Sequence, residues 1–379
     1  MRGARTARAT TFKVPTSTTQ NASSKPRQGR NQTARARLAH WLRRLLVTCA
    51  FAYPVSLLAT CLAFYYIGEN WWVTAAALYA PRIFFAAPLP PLLLGLLLFR
   101  LKRLLWTQAA AALLTLFPLM GFVLPLPRTT PEGAPTLRLM SFNVNSAYAG
   151  KERLLAQIAA ISPDILLVQE MPWPEELLEA VRAHYPHAEA STQFIIGSRY
   201  PILERTEPAK LPHEGRQRSP RFIRYVVQSP LGKLALYSVH PISPRGTLGV
   251  YGLRGVLHGV RTGEILTGDP EADVGRNASL RALQVSVAAG MAKLEKYPVV
   301  LAGDMNLPGL SSTLRKHLDE YADGFTDASW GFGYTFPQKY PFLRLDRVLA
   351  GPGLRFTEFQ VGCPDLSDHF CVVASIQRR

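Results

Sequence analysis

Three largely uncharged apolar stretches follow one another in the first third of the chain. They cover residues 45–67, about 83–99 and about 104–126. None has the polar face at 3.6-residue spacing that a helix on the core of a soluble protein shows. A helix of roughly 20 apolar residues crosses a hydrocarbon layer of about 30 Å. The pattern therefore predicts about three transmembrane helices within residues 45–127.

The basic residues beside these stretches predict how the chain crosses the membrane. Residues 1–44 contain eleven Lys and Arg and no acidic residue, and the turn at 100–103 contains three more. Short basic flanks stay on the cytoplasmic side. Three crossings would then carry the chain after Pro127 to the outside. We expect a multi-pass protein of the cytoplasmic (inner) membrane with an extracytoplasmic C-terminal domain.

The first 44 residues are rich in Arg, Ser, Thr, Gln and Asn, with almost no large apolar residue before Leu38. Such a composition cannot form a core, so a disordered basic tail is predicted. An organelle transit peptide has a similar composition, but the apolar stretch that follows at once favours a cytoplasmic tail. Residues 128–135, with prolines and a glycine, are predicted to be a linker to the final domain, 136–379.

From residue 136 onward the pattern changes to short runs rich in Val, Ile, Leu and Tyr, which predict β-strands. Apolar residues at helical spacing predict helices at 151–161, 174–184 and 279–295. A hairpin at 221–240 favours a mixed or antiparallel sheet over a purely parallel one. Residues 136–379 are therefore predicted to form one α/β domain. The predicted strands are 136–143, 164–169, 194–198, 222–228, 233–239, 299–302, 345–350 and 371–376.

The formal net charge of +17 lies mainly outside this domain. Residues 128–379 contain 28 basic and 25 acidic residues. A domain that binds duplex nucleic acid usually concentrates Lys and Arg on its binding face. The near-neutral balance weakens a nucleic-acid function without excluding it, because a local basic patch can exist within a balanced total.

Four cysteines are too few for a disulfide framework. Cys49 and Cys61 lie in an apolar stretch and are interpreted as packing residues. Cys363 and Cys371 flank an Asp-His pair, and a bridge between them would need an oxidising compartment. The sequence leaves open whether this bridge forms.

Polar residues stand at or near the C-terminal ends of the predicted strands. Strand ends can present side chains to a cleft without burying them unsatisfied. Two histidines, several carboxylates and two carboxamides are suited to metal-assisted attack of water on a phosphate ester. The residues are Asn143, Glu170, His240, Asp304, Asn306, Asp368 and His369.

Asp304 and Asn306 are two apart in a segment predicted to be extended, so their side chains should share one face. A carboxylate and a carboxamide on one side can align a water molecule and hold a phosphoryl oxygen. The alternative is an ordinary Asp/Asn turn closed by Pro308.

His369 is predicted to pair with a distant carboxylate. Asp368 and His369 are adjacent and project to opposite sides of an extended chain, so Asp346 is the candidate partner. A carboxylate on one imidazole nitrogen fixes the tautomer and favours the charged form. Asp368 is then available to a cation, although an ordinary surface turn is the alternative.

A magnesium-type site is predicted from the carboxylates. Mg²⁺ sites use one or two carboxylates and complete their shell with water and substrate phosphate oxygens. Glu170, Asp368 and Asn143 fit this pattern. No His/Cys cluster has zinc spacing, so Mg²⁺ or Mn²⁺ is expected.

Taken in order, these motifs resemble those of the endonuclease/exonuclease/phosphatase superfamily, over about residues 136–379. Its members include apurinic endonucleases, pancreatic-type deoxyribonucleases, sphingomyelinases and inositol-phosphate phosphatases. The resemblance implies a four-layer α/β sandwich, two packed mixed sheets flanked by helices, and a divalent metal. Arg347 departs from the pattern, since many members carry His or Tyr there. The matching motifs are Phe-Asn at 142–143, Gln-Glu at 169–170, Ser-Arg-Tyr-Pro-Ile at 198–202, Gly-Asp-Met-Asn at 303–306, Tyr-Thr-Phe-Pro at 334–337, Leu-Asp-Arg at 345–347 and Ser-Asp-His at 367–369.

The resemblance also implies roles for the metal and water residues. Glu170 corresponds to a metal ligand, with Asn143 and Asp368 near it. Asp304 and Asn306 correspond to residues that position or deprotonate the attacking water.

Two histidines correspond to residues that contact the scissile phosphate and stabilise its developing charge. They are His240 and His369, the latter oriented by Asp346. Many members pair the first histidine with a carboxylate, and Glu204 and Glu207 are the candidates for that partner.

A metal-dependent phosphohydrolase acting on a membrane lipid phosphate or pyrophosphate is the leading hypothesis. The overall plan resembles the bacterial membrane-anchored members associated with glycopeptide resistance, which are similar to undecaprenyl-pyrophosphate phosphatases. A catalytic domain tethered to the bilayer meets lipid head groups at high effective concentration. A surface nuclease is the alternative enzyme. A transporter or scaffold with an inactive outer domain is a third hypothesis, weakened because solute pathways usually need ionisable residues within the spans.

Overall fold

The computed structural model describes residues 27–124, 133–172, 174–247 and 270–379, with the side chains of 27–34 and 270–272 excepted. Most of the predicted tail and linker therefore lies outside the described residues. The described chain divides into two compact units, the N-terminal half of the first helix up to Cys49 and residues 50–379.

All strands within the described residues lie after residue 136, together with five of the helices. The helices are α1 Arg27–Tyr66, α2 Trp72–Leu78, α3 Leu89–Leu98, α4 Leu105–Leu114, α5 Lys151–Ile161, α6 Pro174–Arg182, α7 Pro270–Lys293, α8 Ser312–Leu318 and α9 Gly324–Ala328. The strands are β1 Leu137–Asn143, β2 Ile165–Gln169, β3 His187–Ser191, β4 Phe194–Ser198, β5 Ile202–Thr206, β6 Leu211–His213, β7 Arg216–Arg218, β8 Phe222–Ser229, β9 Gly232–Val239, β10 Val299–Asp304, β11 Ala322–Asp323, β12 Asp346–Ala350, β13 Leu354–Gly362 and β14 Cys371–Arg378.

One helix in the described part of the chain, rather than about three, is by itself long and apolar enough to cross a membrane. It covers Arg35–Tyr66 within α1, and its most apolar 18-residue window has a mean hydropathy of 2.0. The prediction of about three transmembrane helices is therefore wrong. The second apolar stretch gives the ten-residue α3, which could form a span only together with α2, across a bend of 94°.

The third stretch gives the ten-residue α4, followed by a π-helical turn that contains Pro118. Ten helical residues extend about 15 Å, half the thickness of the hydrocarbon layer. Pro81 and Pro88 each stand directly before a short helix. Proline has no backbone N–H and its ring clashes with the preceding helical turn, so one long helix does not run through these positions. Composition predicted the apolar character of these stretches, but the prolines set the helix lengths.

Two six-stranded mixed sheets form the C-terminal part. The first has the order β13-β14-β1-β2-β4-β3 and the second β11-β12-β10-β9-β8-β5. In the first, β1 pairs in parallel with β2 and antiparallel with β14. In the second, β10 pairs in parallel with β9 and antiparallel with β12.

Side chains alternate between the two faces of each sheet. In β1, Leu139 packs in the core between the sheets, whereas Met140 packs in the cluster with α5 and α6. In β10, Val300 faces the same inter-sheet core, whereas Leu301 packs in the cluster with α7. The predicted sandwich of two mixed sheets flanked by helices is confirmed.

Residues 68–124 pack against this sandwich. The buried guanidinium of Arg82 donates to the carbonyl of Gly309 at 3.2 Å. The hydroxyl of Tyr334 donates to the carbonyl of Met120 at 2.8 Å. These contacts place Arg82 and Met120 beside the loops that follow β10 and precede β12.

Candidate active site

The candidate site lies at the end of the rows of side chains that face inward, between the two sheets. Val300 and Ala302 of β10 pack between the sheets, and Asp304 is the next position of the same row. Asn143 occupies the corresponding end of β1. Its amide nitrogen donates to Asp304 Oδ2 at 3.1 Å, so the two sheets meet through this polar pair.

Gly303 brings the end of β10 against β9. Its φ is +147°, and a side chain there would place Cβ 1.9 Å from the carbonyl oxygen of Val239. Such a distance is well inside van der Waals contact. Glycine therefore allows Asp304 Oδ2 to lie 3.7 Å from the Nε2 atom of His240.

Asp304 and Asn306 meet, although the segment between them is not extended. Asn306 has a φ of 48°, so the prediction of an extended segment is wrong at this residue. Its backbone N–H donates to Asp304 Oδ1 at 2.9 Å, and its Nδ2 lies 3.4 Å from Asp304 Oδ2. Its Nδ2 also donates to the carbonyl of Pro241 at 3.1 Å. The turn thus holds both oxygens of Asp304.

His369 and Asp346 form the predicted pair. The imidazole Nδ1 lies 2.8 Å from Asp346 Oδ2, and Nε2 lies 3.6 Å from Asp304 Oδ2. Burial alone would lower the pKa of His369, but the carboxylates of Asp346, Asp304 and Asp368 outweigh it and raise that pKa to about 10. The imidazole is therefore held in its charged form at neutral pH.

His240 contacts a side chain that the sequence did not single out. Its Nδ1 lies 2.8 Å from Oε1 of Gln193, and its Nε2 lies 3.1 Å from Oε1 of Glu170. Glu204 and Glu207 were the candidate partners, but Glu204 pairs with Arg224 of the neighbouring β8 and Glu207 pairs with Arg205 of β5. A carboxamide from the β3–β4 turn therefore orients this histidine instead of a carboxylate.

The carboxylate of Glu170 is held ionised. Burial alone would raise the pKa of Glu170, but hydrogen bonding and charge from His240, with smaller effects of Asn143 and His369, bring that pKa to about 2. A carboxylate must be deprotonated to bind a metal. Glu170 is thus prepared as a ligand at neutral pH.

Asp368 lies at the rim of the site. Its Oδ1 accepts from Asn145 Nδ2 at 3.0 Å, and its Oδ2 lies 2.8 Å from Nη2 of Arg245. Its carboxylate thus contacts an amide and a guanidinium rather than the cluster around Glu170. Its predicted role as a metal ligand stays a prediction.

A disulfide closes the segment that carries Asp368 and His369. It joins Cys363 and Cys371, which settles the question that the sequence left open. The amide of Gln338 donates to the carbonyls of Cys363 and His369, each at 3.1 Å. The backbone of this short segment is therefore tied at both ends and in the middle.

Two sets of side chains among the described residues could hold a metal ion. Glu170, His240 and Asp304 form the first set, and Asp304, Asp346 and His369 form the second. The ligand atoms within each set lie within 4.8 Å of one another. The carboxylates of the first set match the hard oxygen donors that Mg²⁺ or Mn²⁺ takes, so the residues present fit a divalent cation.

A cavity of about 210 Å³ joins these groups to an apolar wall. Glu170, Asp304 and His369 line it together, so two carboxylates and an imidazole predicted from separate motifs share one space. The wall consists of Phe336, Phe342, Leu343, Leu345 and Tyr79, with Arg245 at the side. Sequence reasoning missed Gln193, Arg245 and Tyr79, because none lies in a recognisable motif.

A known protein family matches most of the region that forms the two sheets. The model of the Endonuclease/Exonuclease/phosphatase family matches residues 140–369. Among solved structures, an endonuclease/exonuclease/phosphatase from Beutenbergia cavernae is 19% identical, over 64% of this chain and 72% of that one, with a TM-score of 0.48. A beta toxin variant from Staphylococcus aureus with bound magnesium ions is 15% identical, over 64% and 99%, with a TM-score of 0.47.

A third solved structure is D. rerio TDP2 complexed with a single-strand DNA product. It is 16% identical, over 64% of this chain and 99% of that one, with a TM-score of 0.45. No curated protein matches the sequence. The family model, in contrast, covers well over half of the chain and includes every predicted site residue. The chain therefore belongs to the endonuclease/exonuclease/phosphatase family, whose members are divalent-metal-dependent hydrolases of phosphate esters.

Proposed function

We propose that this protein is a membrane-anchored phosphohydrolase that acts on a lipid phosphate or pyrophosphate at the outer face of the cytoplasmic membrane. The observation that carries the proposal is the composition of the catalytic cavity. Charged groups of the site and an apolar wall line the same cavity.

The cavity suits an amphipathic substrate. Phe336 and Phe342 are half-buried, and Leu343 and Leu345 behind them are almost fully buried. Pockets are lined by apolar groups with a few polar groups that fix orientation. A phosphate bound near His369 would therefore have room for the first carbons of an apolar chain beside it. A polyprenyl pyrophosphate has this chemistry.

The surface around residues 38–124 supports a membrane location. Of the 24 large apolar side chains exposed among the described residues, 19 lie in this part of the chain. Exposed apolar surface on this scale marks an interaction site or a membrane contact. Trp41, Trp71 and Trp106 are among the exposed residues, and tryptophan is enriched at membrane interfaces.

One crossing leads to the same orientation as three. Residues 1–44 have eleven basic residues, against three in the turn at 100–103, so the N-terminal side of the crossing is expected to be cytoplasmic. An odd number of crossings then puts the catalytic part outside. The bridge between Cys363 and Cys371 supports this side, because disulfides persist in oxidising compartments.

Topology can be measured with reporter fusions. Fusions after Arg103 and after Arg379 should both report the outside if α1 is the single crossing. A cytoplasmic report at Arg103 together with an external one at Arg379 would favour the three-span arrangement. A cytoplasmic report at Arg379 would contradict the external site.

The side chains divide the chemistry between them. Asp304 would take the proton of the attacking water, because Asn306 and Asn143 hold its two oxygens in place. As this water bonds to phosphorus, the bond from phosphorus to the leaving oxygen breaks. The imidazolium of His369 would donate a hydrogen bond to the phosphoryl oxygen on which charge develops.

A divalent ion would be held by Glu170, with Asn143 beside it. When bound, such an ion supplies Lewis-acid stabilisation of the phosphoryl oxygens. His240, oriented by Gln193, would contact the same phosphate from the other side of Glu170.

The substrate class is tested with the full-length protein in detergent micelles with Mg²⁺. We expect release of phosphate from a polyprenyl pyrophosphate and no nicking of plasmid DNA. Substitution Asp319→Asn, at an exposed position on the end of α8, serves as a control for preparation. Robust nicking without release of phosphate from the lipid would reject the lipid substrate in favour of a nuclease.

A further inference from the structure

Tyr79 reaches the catalytic loop from outside the sandwich. It directly follows α2, in a segment of residues 68–82 that we call the docking segment. Its ring lines the catalytic cavity, and its hydroxyl donates to the backbone carbonyl of Asn306 at 2.7 Å. The motif residues of the family all lie after residue 140, so this contact comes from a separate part of the chain.

The docking segment is fixed on both sides of Tyr79. On one side, Glu69 is buried and its carboxylate accepts from the backbone N–H of Ser312 at 2.9 Å, and from the hydroxyls of Ser311 and Ser312. Serine hydroxyls and a backbone N–H at the start of α8 thus share one carboxylate. The start of this helix is held by a residue that precedes the family domain.

On the other side, the guanidinium of Arg82 donates to three backbone carbonyls. Two belong to its own part of the chain, those of Leu78 and Leu119, each at 2.8 Å. The third, that of Gly309 at 3.2 Å, lies in the loop after β10. Arg82 is only 4% exposed, so these bonds are shielded from water. Tyr79 therefore lies between two contacts that join the docking segment to the sandwich.

The contact reaches the proton acceptor through one residue. Tyr79 holds the carbonyl of Asn306, whose backbone N–H holds Asp304 Oδ1 and whose Nδ2 lies near Oδ2. Asn306 has a φ of 48°, in the left-handed region that asparagine adopts more readily than most residues other than glycine. The hydrogen bond from Tyr79 fixes the carbonyl of Asn306 within this turn.

We propose that Tyr79 is a positioning residue for the Asp304–Asn306 loop, and that the docking segment thereby completes the active site. This inference rests on the proposed hydrolase function but not on its lipid substrate. The hydroxyl fixes the loop that orients Asp304, and the ring closes one side of the cavity. The family domain alone would lack this wall.

The test compares Tyr79→Phe with Tyr53→Phe in the full-length protein in detergent. Tyr53 is a matched control, because its hydroxyl also donates to a backbone carbonyl, that of Phe85, at 2.6 Å, away from the cavity. We expect Tyr79→Phe to lower kcat about 3- to 10-fold, the effect of one net hydrogen bond, with KM unchanged. The unfolding temperature should match that of Tyr53→Phe, whose kcat should equal the wild-type value.

Tyr79→Ala serves as a second variant, because it also removes the ring from the cavity wall. It should lower kcat at least as much and raise KM for the polyprenyl pyrophosphate. A wild-type kcat in Tyr79→Phe would overturn the proposal. So would an equal loss in Tyr53→Phe, which would make the effect a general loss of structure.

The readout separates this inference from the proposed function. If the wild-type protein cleaves DNA and not the lipid, the lipid proposal fails, and the kcat ratio of Tyr79→Phe to wild type is measured on DNA. Hydrolysis of bis(p-nitrophenyl) phosphate provides a third substrate. A wild-type protein inactive on all three would overturn both proposals.

Discussion

Replacing Asp304 by Asn should lower kcat for phosphate-ester hydrolysis by about 10²- to 10⁴-fold, the usual contribution of a general base. The amide cannot accept the proton of the attacking water. Its NH₂ group would also face the donors Asn143 Nδ2 and Asn306 Nδ2, which now bond to the carboxylate. The measurement is kcat of the full-length protein with Mg²⁺ on a polyprenyl pyrophosphate.

Two controls accompany this experiment. Asp319→Asn removes an exposed carboxylate on the end of α8 and should retain wild-type activity. Chelation of divalent cations with EDTA should abolish activity of the wild-type protein, and Mg²⁺ or Mn²⁺ should restore it. Activity of Asp304→Asn within twofold of wild type would contradict the assigned proton acceptor.

Replacing Asp346 by Asn should have the second-largest effect, a loss of about 10²- to 10⁴-fold in kcat together with a change in the pH profile. The loss follows because an amide no longer fixes the tautomer of His369, as in a serine-protease triad with its aspartate replaced. The change in the pH profile follows from the loss of the negative charge of Asp346. Asp346 helps to raise the pKa of His369 to about 10, so the imidazolium is present below that pH and is lost above it.

Without the carboxylate, the pKa of His369 falls, and the charged form is lost at a lower pH. The alkaline limb of the pH–rate profile should therefore move to lower pH in Asp346→Asn. The profile of Asp319→Asn should overlay that of the wild type. A reduced kcat with an unmoved alkaline limb would mean that Asp346 only orients the ring.

The sequence predicted the central strands better than the edges. Strands β1, β2, β4, β8, β9, β10, β12 and β14 all correspond to predicted strands. Of the six missed strands, β3, β5, β11 and β13 lie at sheet edges, where one side meets solvent, and β6 and β7 form a separate two-stranded sheet. Residues such as Glu189 and Glu204 therefore interrupt the apolar runs, and the strand signal weakens.

The site could be predicted where each residue ends a strand or belongs to a motif. The structure brings Asn143, Glu170, Asp304 and His369 together at one edge of the sandwich. Strands β1, β2 and β10 end at this edge, and the antiparallel β14 begins there, just after His369. Gln193 lies in a short turn whose sequence carries no signal of a role. Its function depends on a long-range contact with His240, which no local pattern encodes.

Tyr79 is a second residue whose role depends on a long-range contact that no local pattern encodes. Its sequence context is an aromatic residue beside an apolar stretch, which is typical of a membrane interface. The structure gives it a hydrogen bond to Asn306, 227 positions further along the chain. Hydropathy predicts the kind of environment that suits the ring of a tyrosine. It does not predict which backbone carbonyl accepts the hydrogen bond from the tyrosine hydroxyl.

The alternation of β10 limits how this protein can diversify. Asp304 faces the cavity only because it is an even number of residues from Val300 and Ala302, which are packed between the sheets. Inserting one residue upstream within the strand would rotate the carboxylate to the helix-covered face, since a slip of one position exchanges the two faces. We therefore expect length changes to be tolerated in the connections but not within the strand.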